Sequence, residues 1–179
     1  MKKTKIFYVF GYDDSPQSEL FHQLKEGLDS SKYELITDYY AQYNPVAALK
    51  DLNEYIKDNK INVVIGENLG AYLTAFIEGD DLVKILIDPI IDPKIELAEY
   101  KVQQEDGNGK IIELPMVPKH IIDYYSKFDE KLDIQNFCCI VTNDASYYEC
   151  KDLCSTIIRS DNPVQTIIET FKMAENENI

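Results

Sequence analysis

The residues of this chain best placed to do chemistry form a pentapeptide, Gly66-Glu67-Asn68-Leu69-Gly70. It joins the apolar run Ile61-Asn62-Val63-Val64-Ile65 to a helix read over 69–78. Two glycines flanking a central residue at a strand-to-helix turn is the setting of the Gly-x-Ser-x-Gly nucleophile elbow. The turn is so tight that its flanks need small side chains, and its centre is held at positive φ. Here the central residue is Asn68. Asparagine tolerates positive φ better than most residues with a Cβ, so the bend survives, but its amide offers no hydroxyl for a base to deprotonate. A plain strand-to-helix turn with two incidental glycines accounts for the same five residues.

An elbow hydroxyl also needs an imidazole to take its proton, and nucleophile and base act as a unit. The chain has only His22, read inside the first helix, and His120, at the start of a helix over 118–127. Both read as surface or packing residues. Ser15 is explained as a helix N-cap and Ser18 as an exposed first-turn residue. The four cysteines, Cys138, Cys139, Cys150 and Cys154, lack metal-ligand spacing and read as buried thiols in a reducing compartment. No cofactor motif and no metal site is read anywhere.

The elements that must position these residues alternate between strand-length apolar runs and helical stretches, the pattern of an α/β protein with a mostly parallel sheet. Strands are expected at 6–10, 33–37, 61–65, 82–87, 137–141 and 155–159. Helices are expected from Pro16, with Leu20, Phe21, Leu24 and Leu28 buried, and over 45–58, with Val46, Leu49, Leu52, Tyr55 and Ile56 inward. Further helices are expected over 69–78, 118–127 and 163–174. Between Asp92 and about Glu130 the pattern loosens around Asp106-Gly107-Asn108-Gly109, a tight turn for a small hairpin. That stretch reads as a cap-like insertion in a single domain spanning 1–179, and Glu175 to Ile179 as a fraying polar tail.

Composition narrows the classes of partner. At 179 residues and 45% hydrophobic, the chain has the material for one sizeable core. Its 18 basic against 32 acidic residues leave a net charge of −14, which argues against nucleic acid and against anionic membrane surfaces. A cation, a basic protein partner or a small molecule fits better. No apolar run reaches the roughly 20 residues of a membrane span, and Met1-Lys2-Lys3-Thr4-Lys5 leads into a strand, so a cytoplasmic location is expected. The oligomeric state is left open.

Segments around the pentapeptide carry a resemblance. Phe10-Gly11-Tyr12-Asp13-Asp14-Ser15-Pro16-Gln17-Ser18 and Asp88-Pro89-Ile90-Ile91-Asp92-Pro93 resemble, in order and spacing, segments of the α/β-hydrolase superfamily. They are most similar to those of the small bacterial esterases of the uncharacterised YqiA-like type. The resemblance implies a three-layer α/β sandwich with a mostly parallel sheet of about six strands, helices on both faces and a small cap. It places the nucleophile at Asn68, the triad acid at Asp144 within Thr142-Asn143-Asp144, and the histidine within Arg159-Ser160-Asp161-Asn162, taken here at Asn162. It also puts Phe10 where the family has His, and the oxyanion-hole amides at Leu69 and Tyr12, beside Gly11.

Three readings of function follow. The first is a hydrolase framework without the serine route, binding a small ligand in the old cleft. The second is an acidic interaction module for a basic partner, with Tyr39-Tyr40, Tyr124-Tyr125 and Tyr147-Tyr148 as surface. In the third, the acids near strand exits, Asp13, Asp14, Asp38, Glu67, Asp88, Asp144 and Asp161, converge to run a carboxylate- or metal-based mechanism.

Overall fold

The computed structural model describes residues 3–12, 15, 17–79, 81–128 and 137–177. Its strands are β1 (Thr4–Val9), β2 (Tyr33–Ile36), β3 (Val63–Glu67), β4 (Val83–Ile87), β5 (Lys101–Glu105), β6 (Ile111–Pro115), β7 (Cys138–Val141) and β8 (Thr156–Arg159). Six of them form one sheet in the order β2-β1-β3-β4-β7-β8, every neighbouring pair parallel; β5 and β6 form a separate antiparallel hairpin. The helices are α1 (Glu19–Gly27), α2 (Pro45–Asn59), α3 (Leu69–Ala75), α4 (Pro93–Glu99), α5 (Lys119–Phe128), α6 (Asp144–Cys150) and α7 (Pro163–Glu177).

The central strands are apolar on both sides because both faces are covered. Phe7, Val9 and Val64 face α2, α3, α4 and α5 through Leu52, Ile56, Leu73, Leu97 and Ile121. Ile6, Tyr8, Phe10, Ile65 and Ile87 face α1 and α7 through Phe21, Leu24, Val164 and Ile167. This is the expected three-layer α/β sandwich. Helices run antiparallel to the strands, so the chain exits of the sheet gather at one edge, and the elbow lies there between β3 and α3. The hairpin, α4 and α5 intervene between β4 and β7.

Several local expectations are corrected. Ser18 N–H donates to Ser15 O at 3.0 Å, and α1 begins at Glu19 with Ser18 rather than Ser15 as its N-cap. The Ser18 hydroxyl oxygen accepts from Phe21 N–H at 3.2 Å and is buried. Val46 is 66% exposed because the buried face of α2 runs through Pro45, Ala48, Leu52 and Ile56, which turns Val46 away from the core. Two stretches without a helical expectation, α4 and α6, are helices of seven residues each. The C-terminal helix runs to Glu177 instead of fraying at Glu175. Glu175 accepts from Tyr33 Oη at 2.6 Å and from Lys32 Nζ, and burial together with that carboxylate pushes the Tyr33 phenol up to about 12.

The cysteines are also corrected. Cys139 and Cys154 form a disulfide, Cα atoms 6.6 Å apart, because β7 and β8 are neighbours and Cys154 lies in the turn entering β8. Cys138 and Cys150 remain free. Among the described residues, no helix is long and apolar enough to cross a membrane.

Candidate functional site

At the end of β3 the chain reverses sharply into α3 through Asn68, whose φ of 50° and ψ of −114° lie outside the left-handed helical well as well as the ordinary basins. The bend is pinned from β4. Asn68 N–H donates to Ile87 O at 2.9 Å, and Asn68 O accepts from Tyr72 N–H at 3.1 Å and Ile90 N–H at 3.3 Å. Both flanking glycines are required by space. A Cβ on Gly70 would lie 2.2 Å from Val9 O, and one on Gly66 would lie 2.6 Å from Gly70 O and 2.7 Å from Ala71 Cα. β1 therefore presses directly on the first turn of α3, and that close approach forces the bend.

Gly11 borders the elbow: a Cβ there would stand 3.3 Å from Asn68 Cβ and 3.4 Å from its amide nitrogen. Tyr12 follows, half-buried, its ring centroid 6.4 Å from that of Tyr100. Phe10 is fully buried against Tyr40 at 5.0 Å, while the Tyr40 hydroxyl donates to Phe10 O at 2.6 Å. An aromatic pair thus fills the ground beside β1. Leu69 is buried at the start of α3.

The carboxylates are engaged one by one. Glu67 accepts from the Tyr8 hydroxyl, to which Ser18 Oγ donates at 3.4 Å. Asp88, itself at φ 41°, accepts from Thr142 N–H at 2.9 Å and from the Thr142 hydroxyl at 2.5 Å, tying the exit of β4 to that of β7. Asp144 is strongly exposed and pairs with Arg159 at 3.2 Å, the guanidinium lying 3.7 Å from the Tyr147 ring centroid. Asp38 accepts from Tyr39 N–H at 2.8 Å. Asp13 and Asp14 lie outside the described residues. Among the described residues, no three His, Cys, Asp or Glu side chains come together as metal ligands.

The position taken for the histidine serves the backbone. Asn162 Oδ1 accepts from Gln165 N–H at 3.0 Å, at the first turn of α7. Between Asp144 and Asp161 lies a shallow cavity of about 220 Å³, walled by Val141, Thr142, Asn143, Arg159 and Ser160. His22 is exposed on α1 and His120 exposed on α5. Gly11 and Leu69 thus adjoin the elbow, while Asp144 and Arg159 line the cavity at the exits of β7 and β8.

Two features were missed from the sequence. The Tyr8–Glu67 contact joins residues 59 apart, and no local pattern announces it. Glu96, half-buried, accepts from Ile91 N–H at 2.9 Å and Asp92 N–H at 3.3 Å, and burial raises its carboxyl above the usual range. Asp92-Pro93, a common N-cap residue followed by Pro at the first helical position, was the available signal for the start of α4.

Comparison with known proteins is consistent with this geometry. No curated protein matches the chain. Among solved structures it is similar to alpha/beta hydrolase domain-containing protein 10 from mouse, with a TM-score of 0.69 at 11% identity over 99% of this chain and 92% of that one. It is similar to Est1E from Butyrivibrio proteoclasticus with ferulic acid bound, with a TM-score of 0.64 at 12% identity over 98% and 89%. It is also similar to an esterase, EaEST, from Exiguobacterium antarcticum, with a TM-score of 0.62 at 11% identity over 94% and 92%. At such identities the likeness is one of fold. The model of an uncharacterised protein family, UPF0227, matches residues 5–136. With most of its length matched and its sheet, layers and elbow in place, the chain has the α/β-hydrolase fold and belongs to the uncharacterised protein family UPF0227.

Proposed function

We propose that this chain is an esterase-like hydrolase framework that does not cleave esters by the serine route and instead binds a small ligand beside Asn68. The observation that carries the reading is the elbow itself, kept at φ 50° and ψ −114° by two glycines that admit no Cβ, with an amide side chain at its apex. A strained bend persists only where the surrounding structure over-determines it, and here β1, β4 and α3 do so. The groups that would turn such an apex into a catalyst have other work. Asp144 holds Arg159, Asn162 caps α7, and both histidines stand on exposed helical faces.

The ligand class is read from the aromatic residues beside the elbow. Tyr12, next to Gly11, meets Tyr100, and Est1E carries ferulic acid in its solved structure. An aromatic carboxylic acid is therefore the first probe. Calorimetric titration with ferulic acid is expected to show saturable binding that Tyr12→Ala weakens at least about tenfold, a loss of roughly 1.4 kcal/mol. In a p-nitrophenyl ester assay the natural chain is expected to stay at background. An Asn68→Ser/Asn162→His variant asks whether the framework still supports turnover.

A second reading is favoured by the β2–α2 segment, where Tyr39 is 74% and Tyr43 58% exposed. In a chain of net charge −14, that aromatic surface suits a basic protein partner.

A further inference from the structure

The Cys139–Cys154 bond joins residues 15 apart, in β7 and in the turn entering β8. It sits in the smallest of the three apolar clusters among the described residues. There Ala71, Leu86 and Cys139 are buried, and Leu153, Cys154 and Ile157 pack at the margin. β8 is an edge strand of four residues, and α6 spans only seven. Among the described residues, the ties to the sheet include the β7–β8 ladder, Ser160 N–H donating to Val141 O at 3.0 Å, the packing of Ile157 and Ile158, buried Cys150, the Asp144–Arg159 pair and this bond.

The two sulfurs are unequal. Cys139 is fully buried in β7, whereas Cys154, just before β8, is only partly buried. A thiolate approaching from solvent meets Cys154 first, and which sulfur is attacked decides the course of exchange. The other thiols compete poorly. Burial and the neighbouring Glu149 push the Cys150 thiol up to about 11, and burial raises that of Cys138.

We propose that Cys139–Cys154 is a redox modification site that exchanges with small monothiols of the glutathione class, entered at Cys154, and that its opening releases α6 and β8 with the exit loops bearing Asp144 and Asn162. The monothiol's thiolate attacks the Cys154 sulfur, forming a mixed disulfide and expelling Cys139 as a thiolate that takes up a proton. A second monothiol then attacks the small-molecule sulfur of that mixed disulfide. Cys154 leaves as a thiolate and is protonated, and the two small molecules depart joined. One protein disulfide and two monothiols thus become two protein thiols and one small disulfide, with two electrons passed to the protein; reoxidation is the reverse.

The test uses the full-length oxidised chain carrying Cys138→Ser. It is treated with limiting reduced glutathione, quenched with iodoacetamide and mapped by peptide mass spectrometry. The mixed disulfide is expected on Cys154 in at least about tenfold excess over Cys139. After full reduction, amide exchange is expected to speed up within 142–162 and stay unchanged in β1 and β3. Equal trapping on both cysteines, a bond that resists glutathione until the chain unfolds, or unchanged exchange within 142–162 overturns the proposal. Because trapping is read on the oxidised fold, it stands even where the reduced chain is unstable.

Discussion

The centre of the sheet and its β8 edge are built to different tolerances. Around β1, β3 and α3, backbone meets backbone so closely that Gly66 and Gly70 admit no Cβ, and large clusters cover both faces. Around β7, α6 and β8 the cluster is small, the ion pair is exposed, and a disulfide joins β7 to the segment before β8. The elbow's shape belongs to the first region; the positions matched to a triad acid and histidine belong to the second. Packing fixes a backbone shape far more tightly than it fixes an exposed side chain, so the bend is specified independently of the side chain at its apex.

The comparison breaks most readily at Gly70. Gly70→Ala drives a methyl into Val9 O and is expected to cost about 3 kcal/mol or more in denaturant unfolding. A loss under about 1 kcal/mol would mean that β1 and α3 are not locked together as described. Asn68→Gly is expected to raise stability by about 1 kcal/mol, because glycine relieves the positive-φ strain; an unchanged midpoint would show the bend to be relaxed. Arg159→Ala, in the looser region, is expected to change stability by less than about 1 kcal/mol, since its partner Asp144 is open to water. A larger loss would make that region as tightly specified as the elbow.

The smallest effect lies at the seam. Glu96 of α4 feels Glu149 of α6, and burial holds its carboxyl above the ordinary value of 4.5. Because the folded chain holds that proton more firmly than the unfolded one, the stabilising increment is present below the ordinary value and is lost as pH rises through the raised one. Glu96→Gln keeps an oxygen for the Ile91 and Asp92 amides but has no proton to release. Its stability is expected to vary less with pH across that window. An identical pH profile for both chains would remove Glu96 as the cause.

Legibility in the sequence followed the same division. β1, β3 and β4 announce themselves as apolar runs, and Gly66 and Gly70 announce the elbow, because burial on both faces and close backbone approach leave local marks. The Cys139–Cys154 bond left none, since it depends on β7 and β8 lying side by side. The N-cap of α1 was misplaced from Ser18 to Ser15 because both serines precede the same apolar stripe, and only the hydrogen bond between them decides. Val46 was placed on the inward stripe and still faces water, because the buried stripe of α2 starts at Pro45 and Ala48.

The central claim, that the elbow persists without a nucleophile, is tested most directly by steady-state p-nitrophenyl acetate hydrolysis with the natural chain and Asn68→Ala side by side. Both are expected to match the buffer rate. Saturable turnover by the natural chain that disappears in Asn68→Ala would contradict the account.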